Sequence, residues 1–195
     1  MQKLTIKNTD ALIVVDVQND FCTGGTLAVM NAEDIIPIIN NRLIPKFDTI
    51  VFTRDWHPEN HISFSNKPKF VDGSWPSHCV ANTKGSEFNK DLHITKDAII
   101  INKGDNKDLE AYSGFDNTNL ANELKEIGIS RVFICGLATD YCVKSTAIDA
   151  KKNGFATILL EDATRGVDIP SGSVVIAIQE MKNKEIIIAN CGDLY

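Results

Sequence analysis

Arg131-Val132-Phe133-Ile134-Cys135, followed by Gly136-Leu137-Ala138-Thr139-Asp140-Tyr141-Cys142, is the stretch that decides the fold. Behind its arginine, the first half is a continuous apolar run without polar alternation, the pattern of a strand buried on both faces. A glycine turn then leads into a segment with helical spacing, Asp140–Asn153, closed by Gly154. Five other runs share the character of the first half: Ala11–Val15, Ile50–Thr53, Ala98–Ile101, Ala156–Leu160 and Glu185–Ala189. Helical patterns lie between several of them. Ala32–Leu43 follows Asn31 and carries Ile35, Ile36, Ile38 and Ile39. Thr118 is placed to cap a helix bearing Leu120, Leu124 and Ile127, which Gly128 stops. Ser171–Lys182 sets Val174, Val175, Ile178 and Met181 on one face. This alternation predicts a three-layer α/β/α fold with a central, mainly parallel six-stranded sheet.

A length of 195 residues suits one domain spanning 1–195. With 43% hydrophobic and 24% charged residues, the composition excludes a disordered chain, a collagen-like fibre and a coiled coil. Twenty-six acidic against 20 basic residues give a net charge of -6, with no dominant basic patch. Nucleic acid and anionic membrane are therefore poor partners. No apolar stretch approaches the ~20 residues of a membrane span, and Asp16 interrupts the first apolar run, so neither an anchor nor a signal peptide is expected. The cysteines at 22, 79, 135, 142 and 191 are odd in number and form no C-x-x-C pair. That usage points away from a disulfide framework and toward a reducing cytoplasm.

Two segments break the alternation: Asp55–Asp97, rich in Pro, Gly, Asn, Ser and His, and the shorter Gly104–Asp116, which holds Tyr112, Gly114 and Phe115. A loop of the first size inside a compact domain is usually functional. Ligands of an open parallel sheet bind beyond the carboxyl ends of its strands. Asp16 follows the first run, Arg54-Asp55-Trp56-His57 the second, Asn102-Lys103 the third, and the glycine turn to Cys142 the fourth. Singly, Asp16 reads as a turn residue, Lys103 as a solvated charge and Cys142 as a small buried hydrophobe. Together they supply a proton shuttle, a cation and a nucleophile for covalent attack on a carbonyl. Cys142 stands at the predicted start of a helix, where free N–H groups, the helix dipole and a nearby lysine favour a thiolate and can hold an oxyanion. Cys135 reads as core packing, and Cys22 and Cys79 as structural. Asp55, His57 and His78 suit a divalent zinc, iron or manganese ion. The same histidines read equally as loop residues bonded to backbone. His93 lacks a partner and reads as a surface residue.

Four blocks carry a resemblance: Asp16-Val17-Gln18-Asn19-Asp20-Phe21, Thr53-Arg54-Asp55-Trp56-His57-Pro58, Trp75-Pro76-Ser77-His78-Cys79, and Gly136-Leu137-Ala138-Thr139-Asp140-Tyr141-Cys142-Val143. In order, with Lys103 between the third and fourth, they resemble the nicotinamidases, members of the isochorismatase-like cysteine hydrolases. The resemblance implies deamidation of nicotinamide to nicotinate and ammonia in NAD salvage, extending to close ring amides such as pyrazinamide. It implies Cys142 as nucleophile, Asp16 as proton shuttle and Lys103 as stabilising cation. It also implies one divalent metal ion on Asp55, His57 and His78, zinc first with iron or manganese as alternatives, holding the pyridine nitrogen rather than activating water. A cis Leu137–Ala138 peptide would turn the N–H groups of Ala138 and Cys142 toward the oxyanion. Phe21, Trp75 and Tyr112, with Ala138, would wall the ring pocket. His61 stays outside the metal set because relatives differ near that position. The implied partner is the small-molecule substrate, with homo-oligomer formation left open. Two readings compete. One is another cysteine amidase of the superfamily, acting on a carbamoyl or ureido substrate. The other is a non-catalytic metal-binding or redox module in which Cys142 senses oxidants, and it leaves Lys103 and Trp75-Pro76 unexplained.

Overall fold

The computed structural model describes residues 3–195; Met1 and Gln2, the start of the expected 1–195 span, lie outside the described residues. Six strands form one sheet: β1 Asp10–Val15, β2 Thr49–Asp55, β3 Ile99–Lys103, β4 Arg131–Leu137, β5 Ala156–Arg165 and β6 Ile187–Ala189. Their order is β3-β2-β1-β4-β5-β6 and every pairing is parallel. The expected "mainly parallel" sheet is thus wholly parallel, each strand being reached by a crossover rather than a hairpin.

Successive side chains of a strand point to opposite faces, and both faces of this sheet are covered. Ala11, Ile13 and Val15 of β1 pack with Leu120, Leu124, Ala147 and Met181, from helices Leu120–Glu126, Lys144–Lys152 and Ser173–Asn183. Leu12 and Val14 pack on the other side with Ile35, Ile39 and Leu43, from a run of short 3₁₀, α and π turns over 32–46. Each such buried aliphatic side chain contributes about 1.5–3 kcal/mol of transfer free energy. That is why β1 and β4 read as continuous apolar runs. Among the described residues no helix is long and apolar enough to cross a membrane.

Four expectations need correction. The edge strands are not buried on both faces: Ile100 in β3 and Ile187 in β6 are 40% and 51% exposed; they pair with Phe52 and Ile158 of the Leu12 face, whose covering layer stops short of the sheet edges. Val175 does not join the core face of its helix and is 70% exposed. Ala177 and Met181 make that face, and 175 lies about 200° around the helix from 177. The cap position of the 120–126 helix is Asn119, which makes no side-chain cap bond; Thr118 serves from one residue earlier, its hydroxyl accepting from Leu120 N at 3.4 Å while donating to Gly114 O at 2.7 Å. The segment expected as helix from Asp140 opens as a π turn, Thr139–Val143, before the α-helix begins at Lys144.

The order reverses between β1 and β4, which are neighbours although the chain leaves them toward opposite edges. Such a switch point opens a crevice at the carboxyl ends of the strands. Asp16 leaves β1 on one side of it, and the Gly136–Cys142 turn leaves β4 on the other. Gly136 is required there: its φ is +109°, and a Cβ at this position would stand 2.1 Å from Val15 O. Gly136→Ala is therefore expected to destabilise the fold by about 3 kcal/mol or more, read as a drop in Tm and in the denaturant midpoint.

Candidate active site

Lys103, the last residue of β3, is buried at 1% exposure with its ammonium at the centre of four groups. Its Nζ donates to Asp55 Oδ1, to Ala111 O at 3.2 Å and to Cys142 Sγ at 3.4 Å. It also lies 2.9 Å from Asp16 Oδ2. Burial opposes the lysine's charge, but Asp16 and Asp55 outweigh it and raise the ammonium's pKa well above its usual value. Asp55 is buried too, yet Lys103 and His57 hold its carboxyl far below the ordinary range.

Asp16 is set by strand β2, whose Thr53 hydroxyl donates to Oδ1 at 2.6 Å. Its own backbone sits at φ +50°, a left-handed conformation that aspartate tolerates and that often marks functional sites. Oδ2 is, among the described residues, a fully buried side-chain oxygen without a hydrogen bond. The Lys103 ammonium holds the Asp16 carboxylate as an ion pair. Asp16, Asp55 and Cys142 each present an atom within 4.8 Å of the others, so the Asp16 carboxylate is within reach of the thiol. Burial raises the Asp16 pKa, with Lys103 opposing.

The thiol corrects the sequence expectation. Cys142 lies in the π turn, only 7% exposed. Burial pushes its pKa well above the usual thiol value, Lys103 opposes, and Asp16 and Asp55 push it further up. Desolvation and two carboxylates defeat the lysine. The resting sulfur is a thiol, and a base must take its proton before it can attack.

Because two buried carboxylates share one cation, Lys103→Met is expected to cost about 3–5 kcal/mol of stability at neutral pH. Without the lysine the Asp16 carboxyl shifts further up, folded above unfolded, so the folded state binds the extra proton. The deficit should therefore shrink as pH falls and grow as it rises, measured by denaturation across the acid range.

Beyond Asp55 Oδ2 stand two imidazoles, with His57 Nε2 at 3.6 Å and His78 Nε2 at 3.8 Å. His57 Nδ1 is 2.9 Å from Gly104 O and His78 Nδ1 is 2.8 Å from Pro76 O. A carbonyl only accepts, so each Nδ1 must donate, which leaves the Nε2 of both rings facing Asp55 as the atom available to a metal; without a metal, Asp55 raises the His57 pKa against its burial. Gly104 permits the first contact: a Cβ there would strike His57 Cε1 at 2.4 Å. Burial lowers the His78 pKa to about 4 against the pull of Asp55, keeping that ring a neutral ligand. One carboxylate oxygen and two imidazole nitrogens within 4.8 Å of one another are a donor set that fits a divalent transition-metal ion. Both ring nitrogens of His61 have other partners: Nε2 reaches Leu109 O at 3.0 Å and Nδ1 pairs with Ser63 Oγ at 2.8 Å. Its ring lies against His57, centroids 4.2 Å apart. His93 is exposed, whereas Cys22, Cys79 and Cys135 are buried.

The thiol and the histidine cluster open into one cleft lined mostly by apolar and aromatic side chains, the usual character of small-molecule sites. Phe21, Trp75, Tyr112 and Ala138 all line it. Trp75 Nε1 donates to the Tyr112 hydroxyl at 2.9 Å, fixing two walls against each other. The Leu137–Ala138 peptide is cis. The Ala138 carbonyl accepts from Tyr141 N at 3.0 Å and Val143 N at 3.1 Å, which shapes the turn carrying Cys142.

Several cleft residues escaped the sequence reading: Leu27, Glu110, Tyr141 and Val167. So did buried Gln18, whose amide donates to Asp55 O and Ser86 O at 2.8 and 3.0 Å and accepts from Asp55 N at 2.8 Å. Its signal was present: a polar side chain two residues past Asp16, at the end of an apolar strand. Tyr141 could have been read from its place beside Cys142. Glu110 has no local signal at all.

Comparison with known proteins finds the isochorismatase domain over residues 10–190. A nicotinamidase of Acinetobacter baylyi is 45% identical over 192 residues, covering 89% of both chains. The pyrazinamidase of Pyrococcus horikoshii, solved in complex with zinc, superposes with a TM-score of 0.85 at 48% identity, over 93% of this chain and 99% of that one. PnC1 from L. infantum, solved in complex with nicotinate, gives a TM-score of 0.87 at 36% identity, over 99% and 98%.

Proposed function

The chain belongs to the isochorismatase domain family, and from that premise we propose that it hydrolyses nicotinamide to nicotinate and ammonia, with pyrazinamide as a second substrate, within one cytoplasmic domain that serves NAD salvage. The observation that carries this reading is a single cleft in which a nucleophilic sulfur faces a cluster able to hold a heteroaromatic nitrogen through a metal.

An amide carbonyl is a poor electrophile, so three aids are needed. Asp16 takes the thiol proton as Sγ bonds to the carboxamide carbon. The N–H groups of Ala138 and Cys142 receive the developing oxyanion; losing one such donor typically costs ~10²–10³ in rate. Asp16 then gives its proton to the nitrogen, the C–N bond breaks, and ammonia leaves a thioester on Cys142. Water attacks that thioester with Asp16 again as base, and nicotinate departs as the thiol is restored. General acid–base help of this kind is worth ~10²–10⁴. Lys103 stays charged throughout and keeps Asp16 beside the sulfur. Asp55, His57 and His78 would hold one divalent ion, zinc in the first instance, which when bound supplies a Lewis-acid anchor for the ring nitrogen. Phe21, Trp75 and Tyr112 enclose the ring so that its carboxamide meets the sulfur.

Ammonia release over a panel of amides tests the reading. The metal-loaded protein is expected to favour nicotinamide and pyrazinamide over carbamoyl and ureido substrates by ~10² or more in kcat/KM, since only the ring amides can use the anchor. A preference for the carbamoyl or ureido compounds would replace nicotinamide with the rival substrate class.

A further inference from the structure

Glu110 lines the cleft alongside Asp55, His57, Tyr112 and Cys142, yet none of the chemistry above uses it. It is exposed while lining the cleft, which places it at the rim, between the ring pocket and solvent. Asp55, the other acidic residue of the lining, is neutralised by Lys103 and turned to the histidines. Glu110 makes no ion pair among the described residues; its carboxylate lies against the Tyr112 hydroxyl, the same hydroxyl that accepts from Trp75. The mouth of the pocket therefore carries a carboxylate with no ion-pair partner among the described residues. Substrate and product of the proposed reaction share one ring and differ by one charge, a neutral carboxamide against a carboxylate. A rim carboxylate acts on the second and scarcely on the first.

We propose that Glu110 is a specificity-determining residue that selects against the carboxylate product, repelling nicotinate relative to nicotinamide and so limiting product inhibition. This rests on the nicotinamide reading of the same cleft. Coulombic discrimination of this kind needs no hydrogen bond to the ligand, only proximity, and at a solvent-facing rim it weakens with salt.

The test measures nicotinate and nicotinamide affinities by calorimetry on the metal-loaded Cys142→Ala protein, which binds without turning over. Glu110→Gln added to that background is expected to shift the affinity ratio toward nicotinate by roughly tenfold at low salt. Glu110→Lys should shift it further, and Glu110→Asp should keep the original ratio. High salt should close most of the gap between the Glu110 protein and its Gln variant, which a mere change of wall shape would not do. An unchanged ratio in the Gln and Lys variants, or a shift indifferent to salt, overturns the inference while leaving the nicotinamide reading intact. Loss of bound metal in Glu110→Gln also overturns it, by making Glu110 a ligand. If the loaded protein binds neither compound, the nicotinamide reading falls and the inference with it.

Discussion

Cys142→Ala cuts ammonia release from nicotinamide by about four orders of magnitude or more while leaving the fold in place. The size of the loss follows from the route: without sulfur there is no thioester, and Asp16 is left to deprotonate water against an unactivated amide. The fold survives because Cys142 is a small side chain lining the cleft, and its truncation removes only the sulfur and its contact with Lys103. The thiol's raised pKa makes Asp16 the necessary companion. Asp16→Asn keeps the shape but removes the acceptor, and it is expected to lose about as much activity as the alanine variant. Effects of groups acting as a unit do not add, so the double variant should be little worse than either single one. Circular dichroism and steady-state ammonia assays on the three proteins decide the matter. A Cys142→Ala rate within tenfold of the parent would remove the covalent route.

The second large effect lies on the other wall. Stripping the protein with a strong chelator is expected to lower kcat/KM for nicotinamide by ~10² or more, and adding back zinc should restore it. Asp55→Ala, His57→Ala and His78→Ala should each lose the bound ion by elemental analysis, because three protein ligands are the minimum for a tight site with an open position. His61→Ala should retain it, both ring nitrogens of His61 being engaged elsewhere. Asp55 carries a double burden, since its other oxygen bonds Lys103. Its alanine variant should therefore lose stability as well as metal, and His78→Ala chiefly metal. Full activity in protein free of metal would contradict the assignment of these three residues.

How much of this was legible in the sequence depends on how local the cause is. β1 and β4 announced themselves because both their faces are covered, which prints as an unbroken apolar run. The exposed faces at Ile100 and Ile187 could not be read, since which strands lie at the edge is a property of sheet order, not of any one segment. Asp16, Asp55, Lys103 and Cys142 were readable as strand-end residues, and a parallel sheet brings all such ends to one rim. The protonation state of the sulfur was not readable. The helix start and the lysine argued for a thiolate, but burial and two carboxylates from β1 and β2 reverse the balance, and those meet Cys142 only in the fold. The same holds for the histidines. Their spacing left metal and backbone roles equally open, and the structure gives them both: backbone carbonyls hold Nδ1 of His57 and His78, and that is what frees Nε2. Glu110 stands at the far limit, an unremarkable glutamate until the cleft forms around it.

The most direct test is the intact mass of the metal-loaded protein quenched in acid during turnover of nicotinamide. The account predicts a population heavier by one nicotinoyl group, located on the peptide that contains Cys142, cleaved by hydroxylamine, and absent from the Cys142→Ala and chelator-stripped proteins. Steady release of ammonia with no acylated species, or with the group on another residue, would contradict it.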